Sequence, residues 1–245
     1  MAGQQGACVV IGAGDATGGA VARAFAREGY AACVVRRPRN VADVESLAAS
    51  IRAEGHAAHA YGVDARDEAE MVALFDRIEA EVGPIEVAVF NIGANVRFGI
   101  ADTTAQVYRK VWEMAAFAGF LTGREAAKRM RPRGRGTIIF TGATASLRGG
   151  SGYSAFSGAK FALRALAQSM ARELGPENIH VAHVVIDGAI DSAFIREMLP
   201  DAAARKADDA LLSPEAIAAQ YVMLHRQSRT AWTHELDLRP WRETF

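Results

Sequence analysis

The chain has 245 residues, half of them hydrophobic and 23% charged, a balance that supports a sizeable core and excludes the composition of a disordered or fibrous protein. Its 28 basic and 28 acidic side chains cancel, which argues against a chain-wide electrostatic footprint for nucleic acid or an anionic lipid surface. No apolar run approaches the ~20 residues a bilayer crossing needs, and Met1 to Gly6 lack the features of a secretory signal. The expectation is one domain over 1–245, in the cytoplasm, with no membrane and no nucleic-acid partner.

Apolar runs and period-two alternation predict strands at 7–11, 31–35, 57–63, 87–91, 136–141, 180–186 and 231–238, with helical stretches between them. The unbroken apolar character of VAVFNI, TIIFTG and VAHVVI fits strands covered on both faces, as in a parallel sheet flanked by helices. Cys8 and Cys33 fall inside two such runs and read as buried thiols rather than a disulfide or redox pair.

The first strand leads straight into Gly12, Ala13, Gly14, Asp15, Ala16, Thr17, Gly18 and Gly19, and then into an alanine-rich helix. Residues without a Cβ let backbone N–H groups approach a pyrophosphate, and the helix N-terminus adds favourable partial charge. The fold class expected is therefore α/β: a Rossmann-type, doubly wound, seven-stranded parallel sheet with helices on both faces. Gly12, Gly14 and Gly18 become candidate cofactor-binding residues. At the end of the second strand, where an acid would accept from a ribose 2′-hydroxyl, stand Arg36 and Arg37. Two guanidiniums favour a 2′-phosphate, so NADP(H) is expected in preference to NAD(H). Asp64, closing the third strand, reads equally as an acceptor for an adenine amino group or as an ordinary strand-end turn.

The basic stretch from Lys128 to Arg135 reads as a solvated helix C-terminus. The pairs His56/His59 and His180/His183 lie in strand-like segments, where residues three apart point to opposite faces, so no metal site is expected. Residues 187–213 read as a loop carrying Phe194, Ile195, Met198 and Leu199, a lid over a pocket for an apolar small molecule.

The glycine turn, Asp64, the run Asn91, Ile92, Gly93, and the segment from Thr141 to Lys160 together resemble the single-domain short-chain dehydrogenase/reductases over nearly the whole chain. The family's TGxxxGxG motif appears with Ile11 and Ala16 in place of its threonine and middle glycine. Its NNAG segment appears as Phe90, Asn91, Ile92, Gly93, and its PG turn as Asp187, Gly188, followed by Ile190 and Ser192 near the expected nicotinamide carboxamide. The resemblance implies cofactor contacts for Asn91, Gly93, Ile190 and Lys160.

It also implies a tyrosine four residues before the lysine, on the same helical face, and that place holds Phe156. The family's serine aligns with Ala143 and its asparagine with Ala116. Loss of a positioned general acid costs ~10²–10⁴ in rate, so ordinary ketone reduction is not expected to be fast. A second tyrosine, Tyr153, stands seven residues before Lys160, two helical turns away on nearly the same face. This spacing resembles the enoyl reductase branch, and it makes Tyr153 and Lys160 the candidate catalytic pair. Two readings stay open. One is an NADP(H)-dependent oxidoreductase for an apolar carbonyl or conjugated carbonyl; the other is a catalytically silent cofactor-binding protein, a sensor or an oligomer partner. The family's frequent oligomers imply a homodimer or homotetramer, with the stretch 231–241 as an ordered strand and tail at a subunit contact.

Overall fold

Strands that are apolar on both faces need cover on both sides, and the chain supplies it by alternating them with helices. The computed structural model describes residues 5–243. Strands β1 (Ala7–Ile11), β2 (Ala31–Arg36), β3 (Ala58–Gly62), β4 (Ile85–Phe90), β5 (Gly136–Thr141), β6 (Ile179–Ile186) and β7 (Glu235–Leu238) form one sheet in the order β3-β2-β1-β4-β5-β6-β7. Every pairing is parallel. The order reverses between β1 and β4, the crevice where open α/β sheets hold their ligands.

The helices are α1 (Thr17–Arg27), α2 (Val41–Ala53), α3 (Glu68–Glu81), α4 (Ala105–Trp112), α5 (Ala118–Met130), α6 (Ser154–Leu174), α7 (Ala193–Met198), α8 (Ala202–Ala207) and α9 (Pro214–Arg226). Alternation along each strand divides the interior into two cores. Val9, Ile11 and Cys33 pack with Met71, Phe75, Leu121 and Leu163 of α3, α5 and α6. Cys8, Val10 and Val34 pack with Phe25, Val44, Ile51 and Tyr221 of α1, α2 and α9. The two thiols are free, buried and separated by the sheet, and burial pushes that of Cys33 up to about 12. Among the described residues, no helix is long and apolar enough to cross a membrane.

Three sequence expectations are corrected here. The last strand begins at Glu235 rather than at residue 231. Trp232 turns aside to stack on His180, ring centroids 4.8 Å apart and ring planes nearly parallel, and the Ala231 amide donates to Ser228 in a turn. The stretch read as a loop folds into α7 and α8, pinned at its two ends by a short parallel bridge between Ile190 and Leu212. The basic stretch after α5 is not simply solvated. Arg129 reaches Asp76 at 2.6 Å, Arg131 reaches Glu177 at 2.7 Å, Arg133 reaches Glu79 at 3.1 Å and Arg135 reaches Glu86 at 2.9 Å. These pairs tie the α5–β5 junction to α3, to the start of β4 and to the turn between α6 and β6.

Helix α9 docks through Tyr221, fully buried, whose hydroxyl meets the Thr141 hydroxyl at 2.8 Å. Tyr221→Phe leaves the Thr141 hydroxyl buried without its partner and is expected to cost about 1–3 kcal/mol. Tyr221→Phe combined with Thr141→Val removes both polar groups and should lie closer to wild type. Denaturant unfolding of the three proteins checks this ordering.

Candidate active site

The turn after β1 is built on close backbone approach. Gly12 has a φ of +90°, and a Cβ there would stand 2.8 Å from the carbonyl oxygen of Asn91. A Cβ on Gly18 would stand 2.4 Å from the Gly12 oxygen, whereas one on Gly14 would meet nothing within 4 Å. So Gly12 and Gly18 bring chain segments together, and Gly14 leaves room. Helix α1 starts behind this turn with no side-chain cap, and the Thr17 hydroxyl is buried without a partner among the described residues. Unsatisfied N–H groups and an orphan hydroxyl at a helix N-terminus fit an anionic diphosphate.

From this turn a cavity of about 710 Å³ runs past the ends of β4 and β5 to α7. Its wall brings together Gly12, Gly14, Gly18, Asn91, Gly93, Tyr153, Lys160 and Ile190, eight residues that the sequence singled out. The other three, Arg36, Arg37 and Asp64, line an adjoining cavity of about 250 Å³ that shares Gly12, Gly14, Asn91 and Gly93 with the first.

The two arginines differ in a way the sequence did not show. Arg36 is taken by Asp43 of α2 at 2.7 Å. Arg37 has no acidic partner among the described residues, and burial, followed by the nearby Arg39 and Arg66 charges, holds its pKa below the usual guanidinium range. Asp64 lies nearby but is bonded to Arg66, so Arg37 keeps a guanidinium without a carboxylate of its own for an anionic guest. Asp64 spends both oxygens on Arg66, at 2.9 and 2.5 Å, and those bonds hold its carboxyl below the usual range despite partial burial. That arrangement favours the strand-end turn among its two readings. Arg66 and Asp43 escaped sequence reasoning because neither belongs to a motif. Thr17 could have been found as the first residue of the helix after the glycines.

At the far end, Lys160 and Phe156 share a face of α6, the ammonium 5.8 Å from the ring centroid. Lys160 is buried and donates to the carbonyls of Thr141 at 2.8 Å and Ile92 at 3.1 Å. With carbonyls and no carboxylate for company, burial draws its pKa down to about 7. Tyr153 does not sit on the helix, contrary to the helical-face argument. It is the residue before α6, with φ −113° and ψ 23°, because Gly152 at φ +83° breaks the approach. It still reaches the cavity wall, and its hydroxyl makes no hydrogen bond with a described residue.

Phe156, Ala116 and Ala145 belong to one buried apolar cluster, with Ala143 and Tyr153 packed against it. Ala116 lies in a π-helical turn, Glu113–Phe117, between α4 and α5, a feature that occurs frequently at functional sites. Ser192 caps α7 through the Ile195 amide, while Phe194, Ile195 and Met198 line the cavity. Leu199 is not among the lining residues.

The family model described as short chain dehydrogenase matches residues 7–202. Cis-4-hydroxycyclohexanecarboxylate dehydrogenase of Sinomonas cyclohexanicum is 30% identical over 221 residues, 88% of this chain and 87% of its own. A solved short-chain dehydrogenase from Rhodopseudomonas palustris is 47% identical with a TM-score of 0.83, over 96% of this chain and 99% of that one. A variant of actinorhodin polyketide ketoreductase, solved with NADPH, superposes with a TM-score of 0.88 over 98% of each chain at 21% identity, a likeness of fold alone.

The buried lysine makes stability depend on pH. Between about 7 and the ordinary lysine value of 10.5, the unfolded chain holds the Lys160 proton and the folded chain does not, so this group's contribution rises with pH across that window. Lys160→Met removes the dependence. Its melting temperature, relative to wild type, is expected to be most favourable at about pH 6 and to lose that advantage towards about pH 10, which paired thermal melts across pH check.

Proposed function

Because the chain belongs to the short-chain dehydrogenase family of oxidoreductases, we propose that it is an NADP(H)-binding oxidoreductase acting on an apolar carbonyl or conjugated carbonyl. The observation that carries this reading is the continuous wall from an uncapped helix terminus to a buried lysine and a tyrosine, with the unpaired Arg37 in the adjoining cavity.

Gly12, Gly14, Gly18 and the α1 terminus would hold the diphosphate, and Arg37, with Arg36 beside it, the 2′-phosphate. Asn91, Gly93 and Ile190 line the nicotinamide end, and Lys160 would hold the ribose. Asp64 acts on this site through Arg66. Bound NADPH supplies a hydride; the chain's own residues must supply polarity and a proton. Tyr153, Thr17 and Ser157 all carry a hydroxyl on the cavity wall without a partner among the described residues, and of these Tyr153 is the one that the family spacing relates to Lys160. For a conjugated carbonyl, one hydrogen bond to the oxygen stabilises the developing enolate, and protonation at carbon can follow from solvent, so the serine is dispensable. The apolar walls at Phe156, Ala143 and Phe194 exclude water and favour an apolar substrate body. The relative from Sinomonas acts, by its name, on a cyclohexane ring.

One observation favours a second reading, a cofactor-binding protein without turnover: Phe156, Ala116 and Ala145 form a buried apolar cluster with Ala143 packed against it, and the resemblance implies polar catalytic groups at 116, 143 and 156. In either case the site of action is the cytoplasm and the assembly a homodimer or homotetramer. The partly exposed Trp112 and Phe120, with Phe117 stacked between them on the α4–α5 face, offer apolar surface for a second copy to bury.

Arg37→Ala is expected to weaken NADPH binding about 10- to 100-fold and to leave NADH binding nearly unchanged, as fluorescence titration of both cofactors will show. NADPH oxidation assayed across aldehydes, quinones and enones separates the two readings. Turnover with one of these classes supports the enzyme, and Tyr153→Phe should then lower it about 10²–10⁴-fold. An unchanged rate removes Tyr153 from the mechanism. A rise in melting temperature with NADPH but no oxidation of it by any class supports the silent binder.

A further inference from the structure

Most arginines of this chain are spent on carboxylates, and the cations of the lid are no exception. Arg196 and Lys206 both hold Asp191, at 2.7 and 2.8 Å, and Arg205 holds Asp201 at 2.8 Å. Two guanidiniums near Tyr153 are different. Arg97 has no hydrogen-bond or ion-pair partner among the described residues, and its guanidinium carbon stands 5.8 Å from the centroid of the Tyr153 ring. Its stem packs at Gly152, where a Cβ would stand 3.0 Å away.

Arg148 lines the large cavity and is half exposed. Its nearest carboxylate oxygen, on Asp187, is 3.8 Å away and beyond hydrogen-bond reach. That oxygen is already engaged by the Thr144 hydroxyl at 2.5 Å, and the other faces Arg239 at 3.4 Å. Arg148 therefore keeps one long ion pair, and its N–H donors make no hydrogen bond with a described residue. The neighbouring backbone leaves space, since a Cβ on Gly149 would meet nothing within 4 Å. Among the described residues the one carboxylate on the cavity wall is Asp15, which belongs to the glycine turn.

We propose that Arg148, assisted by Arg97, forms a carboxylate-recognition subsite, so that the substrate of this cavity is an oxo acid, an apolar carbonyl compound carrying a carboxylate. The proposal rests on the dehydrogenase reading of the same cavity. A guanidinium presents five N–H donors in a planar fork that matches a carboxylate in two parallel bonds. The same cavity also carries the apolar Phe194, Ile195 and Met198, which suit the apolar body of such a substrate. Arg97, held over the ring of Tyr153, adds positive charge beside the proposed proton donor.

The test uses the full chain saturated with NADP⁺ and measures, by calorimetry, the binding of 4-acetylbenzoate and 5-oxohexanoate, each against its neutral carboxamide. At least one acid is expected to bind more tightly than its amide. Arg148→Leu should weaken acid binding about 10- to 100-fold and leave the amides unchanged. Arg148→Lys should recover part of the loss, Arg97→Ala should give a smaller one, and Arg109→Ala, an exposed arginine on α4, should give none. Equal binding of acids and amides by the wild type, or an equal fall for both in Arg148→Leu, overturns the subsite. The thermal shift with NADP⁺ on the same samples separates the two levels of the argument. A missing shift counts against the dehydrogenase reading and takes the subsite with it, whereas a normal shift with acids and amides alike counts against the subsite alone.

Discussion

The side-chain amide of Asn91 donates to the carbonyl of Gly12 at 3.1 Å, and that bond lies at the crevice where the sheet reverses its strand order. It joins the ends of β1 and β4, while the Gly12 amide donates to Val35 at the end of β2. Helix α1 can start only because Gly18 lets its first turn rest on the same carbonyl. The next residue along, Ile92, offers its carbonyl to Lys160. One knot of backbone contacts thus places the phosphate end, the approach to Arg37 and the buried ammonium relative to one another. A side chain at Gly18 would force these apart before any ligand contact was lost.

Around that knot, polarity is distributed unevenly. The glycine end has more donors than acceptors: an uncapped helix, an orphan hydroxyl and a guanidinium among guanidiniums. The opposite end is apolar, with Phe156, Ala116 and Ala145 in one buried cluster and Ala143 packed against it. Lys160 stands at the boundary, kept in place by two carbonyls and without a carboxylate to hold its charge. A dianionic ligand at one end and an apolar substrate body at the other fit the same asymmetry. An ammonium whose pKa has fallen to about 7 is less fixed in charge than a surface lysine, so what binds beside it will set its protonation.

Ion pairs away from the cavity have another task. The arginines at the end of α5 and after it reach α3 and the start of β4, and Arg164 of α6 grips Glu235 of the edge strand β7 at 2.6 Å, with His183 on the same carboxylate. Arg37 and Arg97 lack a carboxylate partner among the described residues, and Arg148 has only a long one, on Asp187 at 3.8 Å, so these three guanidiniums at cavity walls or their margins keep donors that the rest have spent.

The parallel sheet, the glycine turn, the absence of an acid after β2 and the apolar residues at 116, 143 and 156 were legible in the amino-acid sequence alone. Each rests on local pattern: strand hydrophobicity, residues without a Cβ, and side chains that cannot donate a proton. The tertiary structure decided what depends on partners distant in sequence. Asp43 separates Arg36 from Arg37, Arg66 occupies Asp64, and the stacking of Trp232 on His180 delays the last strand by four residues. Tyr153 falls off the helix through the backbone angle of Gly152, which the i to i+7 count cannot register. Local sequence therefore determined the scaffold and the apolar character of positions 116, 143 and 156. Only the folded chain decided which charges remain unspent, because pairing is a property of positions in space and not of neighbours along the chain.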